Sequence, residues 1–173
     1  HKKLCMTSLT IVACVFTVLL GTADIAHAQQ RTGWYLDTSA SLSPMARVDV
    51  YGPQYNTHSF AIVFETRRRC EPMFSMFVFH SRGGIGENRN VRTVGPNHFY
   101  VTTDGTQHTW HAVIAEYTNG REIAMGITSE LWESLLGGPK SIAFSDSSEK
   151  YVVPTSGLEN AVTVAMNRCL ELL

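Results

Sequence analysis

Apolar runs of strand length follow one another through the middle of the chain, one of them with the period-two alternation of a half-buried strand. Val48-Asp49-Val50-Tyr51 alternates before Gly52-Pro53. His58 to Thr66 (HSFAIVFET) and Met73 to His80 (MFSMFVFH) are runs of strand length, rich in aromatic and β-branched residues. Phe99 to Thr103 runs into Asp104-Gly105, and Thr109 to Thr118 into Asn119-Gly120, dipeptides that favour tight type I′ turns. Two hairpins in succession predict an antiparallel meander. Ser141 to Phe144 and Lys150 to Val153 form a further hairpin around Asp146-Ser147-Ser148-Glu149, and Pro154 ends it.

The period lengthens twice. Thr128 to Leu136 (TSELWESLL) carries a Thr or Ser cap, acids in the first turn, and Leu131, Leu135 and Trp132 on one side, with Gly137-Gly138-Pro139 as a stop. This predicts a short helix of about two turns. A closing helix, capped by Ser156, runs from Gly157 or Leu158 to about Leu172. Its Leu158, Ala161, Val162, Ala165, Met166 and Cys169 recur at spacings of three and four, so this stripe faces the sheet. The resulting fold class is mainly β (α+β): an antiparallel β-sandwich or meander with a short helix and a C-terminal helix.

The N-terminus has a different pattern. Lys2 and Lys3 precede an apolar stretch, Leu9 to Leu20, and Ala26-His27-Ala28 supplies a small-x-small cleavage site. Gly21, Thr22 and Asp24 interrupt the run short of the roughly 20 apolar residues a bilayer span needs. Residues 1–28 therefore read as a secretory signal peptide and 29–173 as a single β-rich domain, with no membrane span after cleavage. Ile11-Val12-Ala13-Cys14 offers a second reading, a lipoprotein box that would lipidate Cys14, although Val15 to Leu20 stay apolar after it. The first position is His1, not an initiator Met.

Of 173 residues, fourteen are basic and fifteen acidic; without Lys2, Lys3 and Asp24, twelve and fourteen remain. This near balance implies no polyanion partner, and Arg67-Arg68-Arg69, the only basic run, lacks the stripe and stacking aromatics of a nucleic-acid surface. Cys5 and Cys14 fall within the leader, leaving Cys70 and Cys169. One cysteine pair in an oxidising compartment predicts one disulfide. Closing a loop of about a hundred residues, it contributes on the order of 4 to 5 kcal/mol by chain entropy.

Candidate chemistry is sparse. His108 and His111, with Glu116, invite a metal reading, but residues three apart on a strand point to opposite faces, so no metal site is assigned. His58, His80 and His98 are scattered, and the two remaining cysteines lack C-x-x-C spacing. Ser147-Ser148-Glu149-Lys150 matches S-x-x-K but sits in a polar hairpin turn and not at the start of a buried helix. Gly83-Gly84-Ile85-Gly86 lacks the Walker lysine and the dinucleotide spacing. Asp37, Asp49, Glu65 and Glu116 fall on separate elements, and Trp34, Tyr35, Tyr51 and Tyr55 cluster near the mature N-terminus as candidate core or contact surface. No catalytic residue and no cofactor are assigned. Ser81 to Asn90 (SRGGIGENRN), with three glycines and mixed charge, reads as a mobile loop. Its Arg82, Gly83, Gly84, Glu87 and Arg89 are the candidate binding residues.

The order of these elements resembles two groups of small periplasmic proteins, the invasion-associated locus B family and the VasI-like accessory proteins of type VI secretion. What carries the resemblance is a strand region with Cys70, a hairpin followed by Arg121-Glu122-Ile123-Ala124-Met125, and a short helix with Leu131 and Leu135. A strand pair and a Ser156-Gly157-Leu158-x-x-Ala161 helix ending in Cys169 complete it. It covers roughly residues 58 to 170 as a pattern. Cys70 departs from it, following Arg67-Arg68-Arg69 where a position inside a strand is expected. The resemblance implies a sheet-rich domain with a disulfide-tethered C-terminal helix, acting in the periplasm or outside the cell by binding an envelope or secreted protein, with no catalytic motif to carry over. The other function class compatible with the residues is a small envelope hydrolase whose histidines and carboxylates converge only in three dimensions.

Overall fold

The computed structural model describes residues 33–51, 57–79, 88–146 and 149–173. The leader, the Cys14 box and His80 lie outside them. The strands are β1 (Tyr35–Asp37), β2 (Met45–Tyr51), β3 (Thr57–Phe64), β4 (Pro72–Phe79), β5 (Asn88–Val94), β6 (Tyr100–Thr103), β7 (Thr106–Thr109), β8 (Ala112–Tyr117), β9 (Gly120–Gly126), β10 (Ile142–Ser145) and β11 (Lys150–Val153). The helices are α1 (Ser129–Leu136) and α2 (Leu158–Glu171), and a 3₁₀ turn spans Thr66–Arg68. No described helix is long and apolar enough to cross a membrane.

Two antiparallel sheets form. The larger has the order β1-β2-β3-β4-β9-β8-β5, the smaller β11-β10-β6-β7. Period-two alternation sends Val48, Phe60, Phe74, Met76, Ile123, Met125 and Ile114 of the large sheet to the main core. The small sheet meets them with Val101, Ile142, Phe144 and Val153. Phe144 is the wedge between the layers, its ring stacked on Phe74 at 5.9 Å and on Phe99 at 5.7 Å. The helix stripe covers the rest of that face: Leu158, Ala161, Val162, Ala165 and Cys169 of α2 are buried, and α2 packs against β1, β2 and β3. In α1, Leu131 and Leu135 are buried, Trp132 meets Phe64 edge-on, and Thr128 caps the helix by accepting from the Leu131 amide at 3.2 Å.

The disulfide forms between Cys70 and Cys169, 99 residues apart. Cys70 lies in the tight turn after the 3₁₀ segment, where Arg69 and Cys70 both adopt positive φ, 54° and 60°. That conformation is strained for residues with a Cβ, and the bond ties this turn to the last turn of α2.

Four features differ from the sequence expectation. The stretch from Thr109 to Thr118 is not one strand: Trp110 and His111 separate β7 in the small sheet from β8 in the large one. The two hairpins therefore stand in different layers, making a sandwich and not a meander. The presumed loop from Ser81 to Asn90 ends within β5, a strand hidden in the sequence because as an edge it is mostly polar. A three-residue β1 precedes β2. Finally, Ser156 does not cap α2; Gly157 occupies that position at φ 77° with no side-chain cap.

Candidate functional site

Of the predicted binding residues, Arg82, Gly83, Gly84 and Glu87 lie outside the described residues, and Arg89 belongs to β5. The segment carrying them joins β4 to β5, which β9 and β8 separate within the sheet. The described chemistry concentrates on the face of the large sheet turned away from the main core. One row across it reads Tyr35, Arg47, Ala61, Ser75, Ala124, Val113, Thr93.

At the β1–β2 end Arg47 gathers two carboxylates. Its Nη1 donates to Asp37 at 2.9 Å, its Nε to Asp49 at 2.8 Å, and its Nη2 to the Ser59 hydroxyl at 3.0 Å. Tyr35 and Ser59 each donate to Asp49, at 2.7 and 2.5 Å. Burial by itself would raise the Asp49 pKa, but the bonds from Ser59, Tyr35 and Arg47 and the guanidinium charge outweigh it and hold the carboxyl below its ordinary value. Asp37 is held down likewise, against its burial, by Ser39 and Arg47. Tyr35 is pushed far up by burial and by its bond to Asp49. The sequence left Asp37 and Asp49 unconnected. Here they form an ionic network with Arg47 across neighbouring strands.

In the centre Glu122 is sunk among its neighbours. The Ser75 hydroxyl and the Tyr117 phenol each stand 3.5 Å from its carboxylate. Burial, then the negative charge of Glu65, raises its pKa above the ordinary value. Glu65 is itself gripped by Arg67 at 2.7 and 3.1 Å.

At the β8–β5 end the face turns apolar and open. Val113 is 41% exposed, Val91 56% and Trp110 51%. Gly126 accounts for the position of the indole: a Cβ there would lie 2.9 Å from Trp110 Cδ1. Because Gly126 pairs with Met73, which lies on the outward face, the indole that its Cβ would meet lies on this same face. Beside it opens a cleft of about 430 Å³, lined by Trp110, Gly126, Arg68, Glu71, Thr128 and Glu130 among others. Arg68 crosses it, 3.5 Å from Glu71 and donating toward the Met73 sulfur.

Among the described residues, the histidines do not gather. His58 packs on the Tyr151 ring at 4.9 Å, and His98 places Nδ1 3.2 Å from the Gly95 carbonyl. His108 Nε2 lies 3.0 Å from the Thr103 hydroxyl, in a chain that continues to Ser134 at 2.6 Å and ties α1 to the small sheet. His111 stands edge-on to Trp110. None of them lines the Trp110 cleft or a second one of about 400 Å³ beside Gly157. Among the described residues no group of three or more His, Cys, Asp or Glu is placed to hold a metal ion.

Trp34, expected as core, is buried, and its indole donates to the Pro154 carbonyl at 2.5 Å. Sequence reasoning missed Val91, Val113 and Trp110. Val113 sits in Ala112-Val113-Ile114-Ala115, an unbroken apolar run in which nothing marks the outward positions. The one available signal was Gly126, a glycine closing a strand opposite a tryptophan. Compared with protein-family models, with curated proteins and with solved structures, the chain has no match.

Proposed function

We propose that this is an exported envelope protein that acts by binding another protein, as a secretion accessory, adaptor or immunity-like factor, and that the outward face of the large sheet is its binding surface. The observation that carries the reading is that Trp110, Val113 and Val91, each about half-exposed, share the outward face on the β8–β5 side of the large sheet. Large apolar side chains gathered on a surface mark an interaction site more often than scattered ones do, and tryptophan is the residue most enriched among binding hot spots. A leader-like N-terminus and a disulfide suit an oxidising compartment. The resemblance to the locus B and VasI-like groups supports the same class of function.

The test is site-directed photo-cross-linking in cells. A photoreactive residue at Val113 or Trp110 is expected to trap a discrete partner, whereas the same residue at exposed Leu170 or Val152 is not. Trp110→Ala should weaken capture by about 2 kcal/mol or more, roughly thirtyfold. Equal trapping at all four positions, or none at Val113 and Trp110, would refute the surface assignment.

A further inference from the structure

Resting on that reading, we propose that β5 receives an extended segment of the partner as an added strand, and that this segment alternates apolar and acidic side chains. A sheet edge carries unpaired amides and carbonyls that template another strand unless it is shortened or blocked. Among the described residues, four strands end the two sheets. β1 has three residues and β7 and β11 four each, so these edges are blunted by length. β5 has seven. It contains no proline; what guards it is a bulge at its start and the charge of Arg92 on the core-side row opposite Ile114, a charge that an acidic incoming strand would neutralise. Its one irregularity lies between Asn88 and Asn90, which leaves Asn90 to Val94 in regular register.

The two faces of β5 specify the occupant. Val91 and Thr93 point outward beside Ala115 and Val113, so an apolar side chain on the incoming strand would extend the Trp110–Val113–Val91 patch. On the opposite face Arg92 is half-exposed, and its only ion pair, to Glu116 at 3.7 Å, is a solvent-accessible one of small worth. The strand contributes Arg89 and Arg92 and no acid. A carboxylate one position from each apolar side chain, as an alternating segment places it, complements this edge in charge as well as in face.

The probe is a capped heptapeptide alternating Val and Glu. Its controls are a peptide of the same composition in block order and one alternating Val and Lys. Hydrogen exchange of the full chain should show protection gained at residues 90–94 with the Val/Glu peptide alone. Arg92→Glu should reverse the preference toward the Val/Lys peptide, a swing of about three- to tenfold in affinity. No protection at millimolar peptide, or a preference unchanged by Arg92→Glu, would overturn the proposal. So would β5 amides already protected in a dimer seen by sedimentation, because the occupant would then be a second copy. If Val91→Lys and Arg92→Glu leave cross-linking at Trp110 and Val113 intact, the edge assignment fails while the sheet-face reading stands. Loss of trapping at those positions in the unmodified chain sinks the face reading itself.

Discussion

Removing the Cys70–Cys169 bond should lower stability by several kcal/mol, on the order of 3 to 5. In the chain-entropy treatment, a cross-link over 99 residues removes about 16 cal/mol/K from the unfolded ensemble, or about 4.7 kcal/mol at 25 °C. Native-state losses add little if both cysteines become alanine, because Leu158, Ala161, Val162 and Ala165 still bury α2 against the sheet. Cys70→Ala/Cys169→Ala is therefore expected to fold but to lose about 3 to 5 kcal/mol. Urea denaturation followed by circular dichroism measures it. The midpoint should fall, and the slope with denaturant should rise, because the unclamped unfolded chain exposes more surface. Hydrogen exchange separates this from local fraying: an entropic clamp lowers protection throughout the sandwich, including β3 and β4. A loss below about 1 kcal/mol, or one confined to the last turns of α2, would refute the argument that the bond works through the unfolded state.

Other outcomes follow from particular sites. Glu122→Gln should stabilise the protein at neutral pH. The raised Glu122 pKa means the folded state holds this proton more tightly than the unfolded one, so stability falls as pH rises from the ordinary value of 4.5 through the folded one. The advantage of the amide should vanish below about pH 4 in thermal melts; an advantage that persists in acid would contradict the assignment. The Arg47 network has the opposite sign. Asp37 and Asp49 are held below 3.8, so their stabilisation is complete above that value and is lost as pH falls through the folded pKa values. Arg47→Met should cost about 2 kcal/mol at pH 7, between the worth of exposed and fully buried pairs, and less in acid. Gly157→Ala should cost about 1 to 2 kcal/mol in denaturant titrations, because φ is 77° and the new Cβ would stand 3.0 Å from the Trp34 carbonyl. Trp110→Ala should shift the folding midpoint by no more than about 0.5 kcal/mol, as a surface change, while impairing partner capture; a large stability loss would make Trp110 a structural residue.

Much of this architecture was legible along the chain. Alternation in β2, the aromatic and β-branched runs of β3 and β4, and the three-four spacing of α2 are local properties that each segment carries by itself. The cysteine pair needed only the count of cysteines outside the leader-like segment. What lay beyond the sequence is what depends on which strands become neighbours. β5 carries little alternation because an edge strand buries almost nothing, and Trp110-His111 gave no hint that the chain changes sheets there. Asp37, Arg47, Asp49 and Ser59 meet only because β1, β2 and β3 pair in one register. Period two tells which residues share a face but not which face is covered. Packing the small sheet and both helices on one side of the large sheet left Trp110, Val113 and Val91 on the other, and only that long-range choice turned three ordinary apolar residues into a surface.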